Sequence, residues 1–142
     1  MTEDDLHALI AEVRRTKSES DNVEVKAAKG GTPKVHDSLS ALANRTGGGT
    51  ILFGIDEREG FAVCGVHNLQ RLQEELGNYA AHEMEPPIRP VFTRVEVEGK
   101  IVVAMEIPEA PYNQKPCYKK TDGWQNGAWI RVGGTDRRMT PY

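Results

Sequence analysis

Residues 41–55 constrain the fold most. Ala41-Leu42-Ala43-Asn44-Arg45-Thr46 passes through Gly47-Gly48-Gly49 directly into Thr50-Ile51-Leu52-Phe53-Gly54-Ile55. A helical pattern is cut off by three glycines, and the most apolar stretch of the chain follows at once. A short continuous apolar run bounded by turn residues suits a buried strand. The spacing therefore predicts a strand at 50–55, central in a sheet and fed by a helix. Glycines allow a tight turn with close backbone approach. Their N–H groups, with Asn44 alongside, could equally cradle a phosphate as a nest. The segment is not a P-loop, because the order is helix, glycines, strand and no Gly-Lys-Ser/Thr follows.

The rest of the chain supplies partners for that strand. Leu6, Ile10 and Val13 recur at helical spacing after the acidic Glu3-Asp4-Asp5, predicting an amphipathic helix over 3–16. Ser18–Asn22 reads as a loop, and Val23–Ala27 alternates as a short strand. Gly30–Pro33 breaks the chain, and Val35, Leu39, Leu42 and Ala43 mark a second helix of about three turns. Asp56–Gly60 is a turn and Phe61–Val66 a return strand. A third helix fits 68–83, stopped by Glu85-Pro86-Pro87. Val91–Glu98 and Lys100–Ile107 form the clearest hairpin, around Gly99-Lys100. Residues 108–116 read as an extended loop, and Ala128–Val132 as a last strand with Trp129 and its apolar face in the core. The order predicts an α+β fold with one mixed, mostly antiparallel sheet and about three helices.

At 142 residues the chain is the size of one domain, taken as 1–142 with the helix at 1–17 preceding the main body. No apolar run approaches the roughly 20 residues that span a bilayer, and no secretory signal stands at the N-terminus, so the cytoplasm is the expected compartment. Cys64 and Cys117 are isolated, and the four histidines lack metal-ligand spacing. Formal net charge is −3, but it is unevenly spread. Residues 1–24 carry seven acids and three bases, whereas residues 112–142 carry six bases and two acids. A local basic face can therefore coexist with an acidic total.

Two constellations could carry chemistry. Glu24 and Lys26 share one face of their strand, since side chains alternate with period two, and Glu19 could fold over them. A surface ion pair on a half-buried strand fits the same residues. Asp56 stands at the end of the central strand, beside Glu57. The second constellation is the basic and aromatic tail: Lys115, Tyr118, Lys119, Lys120, Trp124, Trp129, Arg131, Arg137 and Arg138. Aromatics interleaved with bases suit base stacking and phosphate contact, and a solvated charged face fits equally.

Several motifs stand in order: Ser18-Glu19, Glu24-Val25-Lys26, Ala41-x-Ala43-Asn44-x-x-Gly47-Gly48, Leu52-Phe53-Gly54-Ile55-Asp56, Val63-x-Gly65, Pro86-Pro87, Gly99-Lys100, Lys115-Pro116-x-Tyr118 and Trp129-Ile130-Arg131-Val132-Gly133. Together they resemble the Schlafen-type AlbA-like domain over about Glu19 to Asp136. The resemblance implies an α+β fold with an Alba-related sheet and a DNA-binding role at the N-terminus of bacterial transcriptional regulators. It also implies a longer C-terminal region, absent from this chain. Animal Schlafen relatives include RNA endonucleases that cut transfer RNA. By that resemblance, two glutamates five residues apart and an aspartate after the central strand fall on Glu19, Glu24 and Asp56, with Lys26 as the nearby cation. These three acids would hold Mg²⁺ or Mn²⁺, the only cofactors implied. Those nucleases pair two lobes, which a homodimer of this chain could supply.

Three functions follow as expectations. The first is a module binding DNA or RNA through Arg45, Lys115, Lys119, Lys120, Arg131, Arg137 and Arg138. The second is a metal-dependent endoribonuclease using Glu19, Glu24, Asp56 and Lys26. The third is a dimerisation or protein-interaction domain.

Overall fold

The structure, a computed structural model, describes residues 1–139. Helix α1 spans Glu3–Thr16 and opens with a capping box in which the Thr2 hydroxyl accepts from Asp5 N–H and the Asp5 carboxylate accepts from Thr2 N–H. Strand β1 (Val23–Lys26), helix α2 (His36–Ala43) and strand β2 (Gly49–Phe53) follow. Short strands β3 (Ile55–Asp56) and β4 (Ala62–Val63) form a small antiparallel pair. Then come helix α3 (Leu69–His82), strand β5 (Met84–Glu85) and the long hairpin β6 (Val91–Val97) and β7 (Lys100–Ile107). The C-terminal segment contains β8 (Tyr118–Lys119), the short helix α4 (Gly123–Gly127), β9 (Trp129–Val132) and β10 (Thr135–Arg138).

The main sheet has the order β1-β2-β7-β6. β1 lies parallel to β2, while β2–β7 and β7–β6 are antiparallel. The predicted central strand is thus central. Its alternation divides the core in two. Ile51 and Phe53 face a cluster with Leu39, Leu42, Leu72, Leu76, Val103 and Met105, under α2 and α3. Leu52 faces the opposite cluster with Leu6, Ile10, Val13, Val25, Val102 and Ala104, under α1. A strand buried on both faces has no polar side to show, which is why its sequence is continuously apolar.

Three elements differ from the sequence expectation. The run at 50–55 is interrupted at Gly54, whose φ of +108° turns the chain. A Cβ there would lie 3.0 Å from the Ile101 carbonyl oxygen. Gly54 N–H donates to Lys26 O, and its carbonyl accepts from Cys64 and Gly65 N–H, so Ile55 leaves the main sheet to pair with Val63. Helix α2 stops at Ala43, after eight residues, because Asn44 turns its side chain to bind the C-terminal segment. After the expected loop at 108–116, the chain adds two strands to the one expected at 128–132, since β8 pairs with β5 and β10 pairs with β9 across Gly133-Gly134.

Asn44 is the clasp of that segment. Its Nδ2 donates to Cys117 O at 3.0 Å and Trp129 O at 2.9 Å, while its Oδ1 accepts from Cys117 N–H at 2.6 Å. Ser40 adds a hydroxyl bond to Cys117 O at 2.7 Å and accepts from Trp129 N–H at 2.8 Å. The β9–β10 ribbon is thereby laid beside α2 and across the end of β1, where the candidate site lies.

Candidate functional site

The site is a groove of about 510 Å³, walled by residues 17–19, β1 and the β9–β10 turn. Glu24 and Lys26 share a face of β1 as the alternation requires, with Lys26 Nζ 3.7 Å from Glu24 Oε1. Glu19 folds over them from the loop before β1. At the centre sits Arg131 from β9, its side chain only 1% exposed. Its Nη2 donates to Glu19 Oε2 at 2.9 Å, Ser20 O at 3.2 Å and Val23 O at 3.1 Å. Its Nη1 donates to Asp136 Oδ1 at 3.1 Å and lies 3.7 Å from Glu24 Oε1. One guanidinium therefore serves three carboxylates and two carbonyls.

This reverses the orientation expected for β9. Ile130 and Val132 face outward, 37% and 48% exposed, and Arg131 faces inward. An apolar side chain could not satisfy the carbonyls of Ser20 and Val23 or neutralise the acids gathered there, whereas a guanidinium presents five donors in a planar fork. Arg131 is accordingly not available as a surface phosphate contact.

The electrostatics follow from this packing. Burial pushes the Glu19 carboxyl above its ordinary range, and repulsion from Glu24 and Glu57 adds to the rise; the hydrogen bond from Arg131 opposes it. Glu24 Oε2 and Arg131 Nε are buried without a hydrogen-bond partner among the described residues.

Asp56 does not join this groove. Its carboxylate pairs with Lys29 Nζ at 2.5 Å and accepts from Arg58 N–H at 3.0 Å. The bond from Lys29 lowers its pKa. Glu57, the next residue, lines the groove instead. Among the described residues no group of three His, Cys, Asp or Glu side chains is placed to hold a metal ion. Glu19, Glu24 and Asp56 thus do not fit a shared Mg²⁺ or Mn²⁺ in this arrangement, because a resident guanidinium stands among the groove acids and Lys29 engages Asp56.

The glycine turn is likewise committed to packing. Gly48 has φ +69°, and a Cβ would lie 2.1 Å from Ile107 O. At Gly49 a Cβ would lie 2.5 Å from Leu42 Cδ2 and 2.9 Å from Asn22 O. Gly47 N–H donates to Glu109 Oε1 at 3.0 Å and Gly48 N–H to Arg45 O at 2.9 Å. With Asn44 engaged on Cys117 and Trp129, the predicted phosphate cradle has the Asn44, Gly47 and Gly48 donors spent inside the protein.

The basic tail divides. Lys115 pairs with Glu109 at 2.6 Å, and Arg45 Nη1 turns back to Thr46 O at 2.8 Å and Gly48 O at 3.0 Å. Lys119, Lys120, Arg137 and Arg138 make no ion pair among the described residues; Lys119 is half-buried and the other three are exposed. Arg138 lies over the Trp129 ring, 5.8 Å from its centroid. Glu57 and Asp136, missed as groove residues, had weak signals: Glu57 adjoins Asp56, and Asp136 falls opposite Arg131 once the Gly133-Gly134 hairpin is drawn.

The fold and sequence have known counterparts. Among curated proteins, none matches the sequence. The solution NMR structure of the N-terminal domain of a RecG-related protein from Nitrosomonas europaea superposes with a TM-score of 0.69 at 28% identity, covering 95% of this chain and 93% of that one. The crystal structure of the DIP2311 protein from Corynebacterium diphtheriae superposes with a TM-score of 0.61 at 17% identity. It is matched over 96% of this chain, which spans only 26% of that protein and shares its fold. The Schlafen, AlbA_2 family model matches residues 19–140, from the first groove glutamate to beyond β10. The chain belongs to the Schlafen AlbA_2 family.

Proposed function

We propose that this chain is a nucleic-acid-binding module, and that its phosphate contacts come from Lys119, Lys120, Arg137 and Arg138. One observation carries the assignment: once internal pairs are removed, these four cations of the C-terminal segment remain without an ion-pair partner among the described residues. A cation already bound to a carboxylate has little to gain from a phosphate, whereas an unpaired one releases counterions from the nucleic acid. Family membership supports the same reading, and service within a transcriptional regulator rests on the family resemblance alone.

The test is a titration of labelled duplex DNA, single-stranded DNA and transfer RNA, with and without Mn²⁺, read on native and denaturing gels. Four phosphate contacts predict a log–log salt slope of about −3.6 on B-DNA and about −2.8 on a single strand. Lys119→Ala with Lys120→Ala should halve it. Affinity that ignores salt, or no shift at low salt, refutes the proposal. Mn²⁺-dependent fragments would show that the groove acids rearrange into a catalytic centre.

A further inference from the structure

A second groove shares no lining residue with the groove around Arg131. It encloses about 430 Å³ between the β5–β8 pair and α4, lined by Glu85, Pro86, Lys115, Pro116, Tyr118 and Trp124. Trp124 is 43% exposed, although it lies on α4 next to a wall of two prolines and a tyrosine. Glu85 and Tyr118 are register partners across β5 and β8, so both present to the same face. No hydrogen bond or ion pair engages the Glu85 carboxylate among the described residues.

We infer that this groove is a slot for one unstacked base of a single-stranded nucleic acid, and that it favours guanine. The inference rests on the nucleic-acid-binding reading and deepens it. The exposed Trp124 indole, with Tyr118 and Pro116 lining the same groove, offers apolar faces to a base, and stacking on aromatics is the usual currency of single-strand binding. A paired duplex cannot enter, because its bases are stacked on each other. Glu85 supplies the choice among bases. An ionised carboxylate only accepts, so it selects an edge with two adjacent N–H donors. Guanine offers N1–H and N2–H side by side on its Watson–Crick edge; thymine offers one donor flanked by acceptors. Lys119 and Lys120, which follow Tyr118 in the chain, supply positive charge for the flanking phosphates.

The experiment uses Trp129→Phe protein, so that Trp124 alone reports by fluorescence. The probes are a thymidine dodecamer, the same dodecamer with one central guanine, the corresponding duplex and a proline-rich peptide. The guanine-containing strand should quench Trp124 and bind on the order of tenfold more tightly than the all-thymidine strand. Trp124→Ala, measured with labelled strands in the otherwise unaltered chain, should weaken that strand by about tenfold. Glu85→Ala should erase the guanine preference while retaining thymidine binding. Equal binding by Trp124→Ala, with no quench in Trp129→Phe protein, overturns the slot while leaving the nucleic-acid reading intact. Failure of every nucleic acid to bind removes both. Quenching by the peptide alone would make the groove a protein-docking site and overturn the inference.

Discussion

Replacing Arg131 by Met tests whether one guanidinium holds the groove together. The side chain is buried, and Met fills a similar volume without donors. The change removes the bonds to Glu19, Asp136, Ser20 O and Val23 O and the 3.7 Å approach to Glu24. It leaves three carboxylates facing each other and returns the Ser20 and Val23 carbonyls to the long backbone bonds each takes from the other residue, 3.4 and 3.3 Å. Breaking a buried ion pair from one side costs roughly 3–5 kcal/mol. The Glu19 and Asp136 side chains retain 14% exposure and Glu24 10%, so water can recover part of the loss. The expected cost is therefore near the low end, about 3 kcal/mol at pH 7. Against a domain stability of roughly 5–15 kcal/mol this is a large fraction. The pH dependence has a definite sign. Without Arg131 the Glu19 carboxyl, already raised by burial, loses the hydrogen bond that opposed the rise and is pushed further above its unfolded value of about 4.3. The folded state then binds more protons than the unfolded state as pH falls from 7 toward that value, and its penalty is relieved. Urea unfolding followed by circular dichroism at pH 7 and pH 5 should show the gap between variant and wild type shrinking by about 1 kcal/mol or more. Adding Glu24→Gln to Arg131→Met should recover part of the loss. A variant within about 1 kcal/mol of wild type at pH 7, or a gap unchanged at pH 5, would refute the reasoning.

Other residues give equally direct tests. Gly48→Ala should cost about 3 kcal/mol or more, from left-handed backbone and collision with the Ile107 carbonyl, whereas Gly60→Ala, with φ +65° and open space around it, should cost about 1 kcal/mol in the same urea assay. A Gly48→Ala protein that folds with unchanged stability but loses nucleic-acid affinity would restore the phosphate-cradle reading. Asn44→Ala strands the Cys117 N–H and takes the Asn44 donor from the Trp129 carbonyl, while Cys117 O keeps the Ser40 hydroxyl, and should cost about 3 kcal/mol. Limited proteolysis should then cut first after residue 116; an unchanged cleavage pattern would count against the clasp. Burial pushes the Cys117 thiol up to about 12, so at pH 8 almost no thiolate forms in the native state. Iodoacetamide should label Cys117 only on unfolding, as resolved by peptide mass spectrometry.

The main sheet was legible because its strands obey simple patterns. Ile51-Leu52-Phe53 is apolar on both faces, and the 91–107 hairpin alternates around a glycine turn. The C-terminal segment was less so. β8 is two residues long and is defined by its pairing with Met84–Glu85, a partner more than thirty positions away. β10 reads Thr-Asp-Arg-Arg, without an apolar residue to mark a face, although Gly133-Gly134 before it is a hairpin signal. The orientation of β9 could not be read from its own residues. Alternation says that Arg131 opposes Ile130 and Val132, and ordinary hydrophobicity would turn the arginine out. Only the position of Glu19, Glu24 and Asp136 in space turns it in.

That inversion changes the meaning of the charge asymmetry. An acidic beginning and a basic end invite the idea that the basic end faces an external polyanion. Part of it faces the acidic beginning instead. Arg131, from the basic stretch, lies among Glu19 and Glu24 of the acidic stretch, so the two ends of the chain are joined by one buried ion network. Lys115 is likewise engaged by Glu109. Of the six basic residues after 111, four remain free of such partners among the described residues. The segment that fastens the groove therefore also carries the cations proposed for phosphate. Ligand held by Arg137 and Arg138 would restrain β10, whose Asp136 lies between the Ser38 hydroxyl and Arg131. On that proposal, binding outside the groove would be coupled to order inside it through that strand.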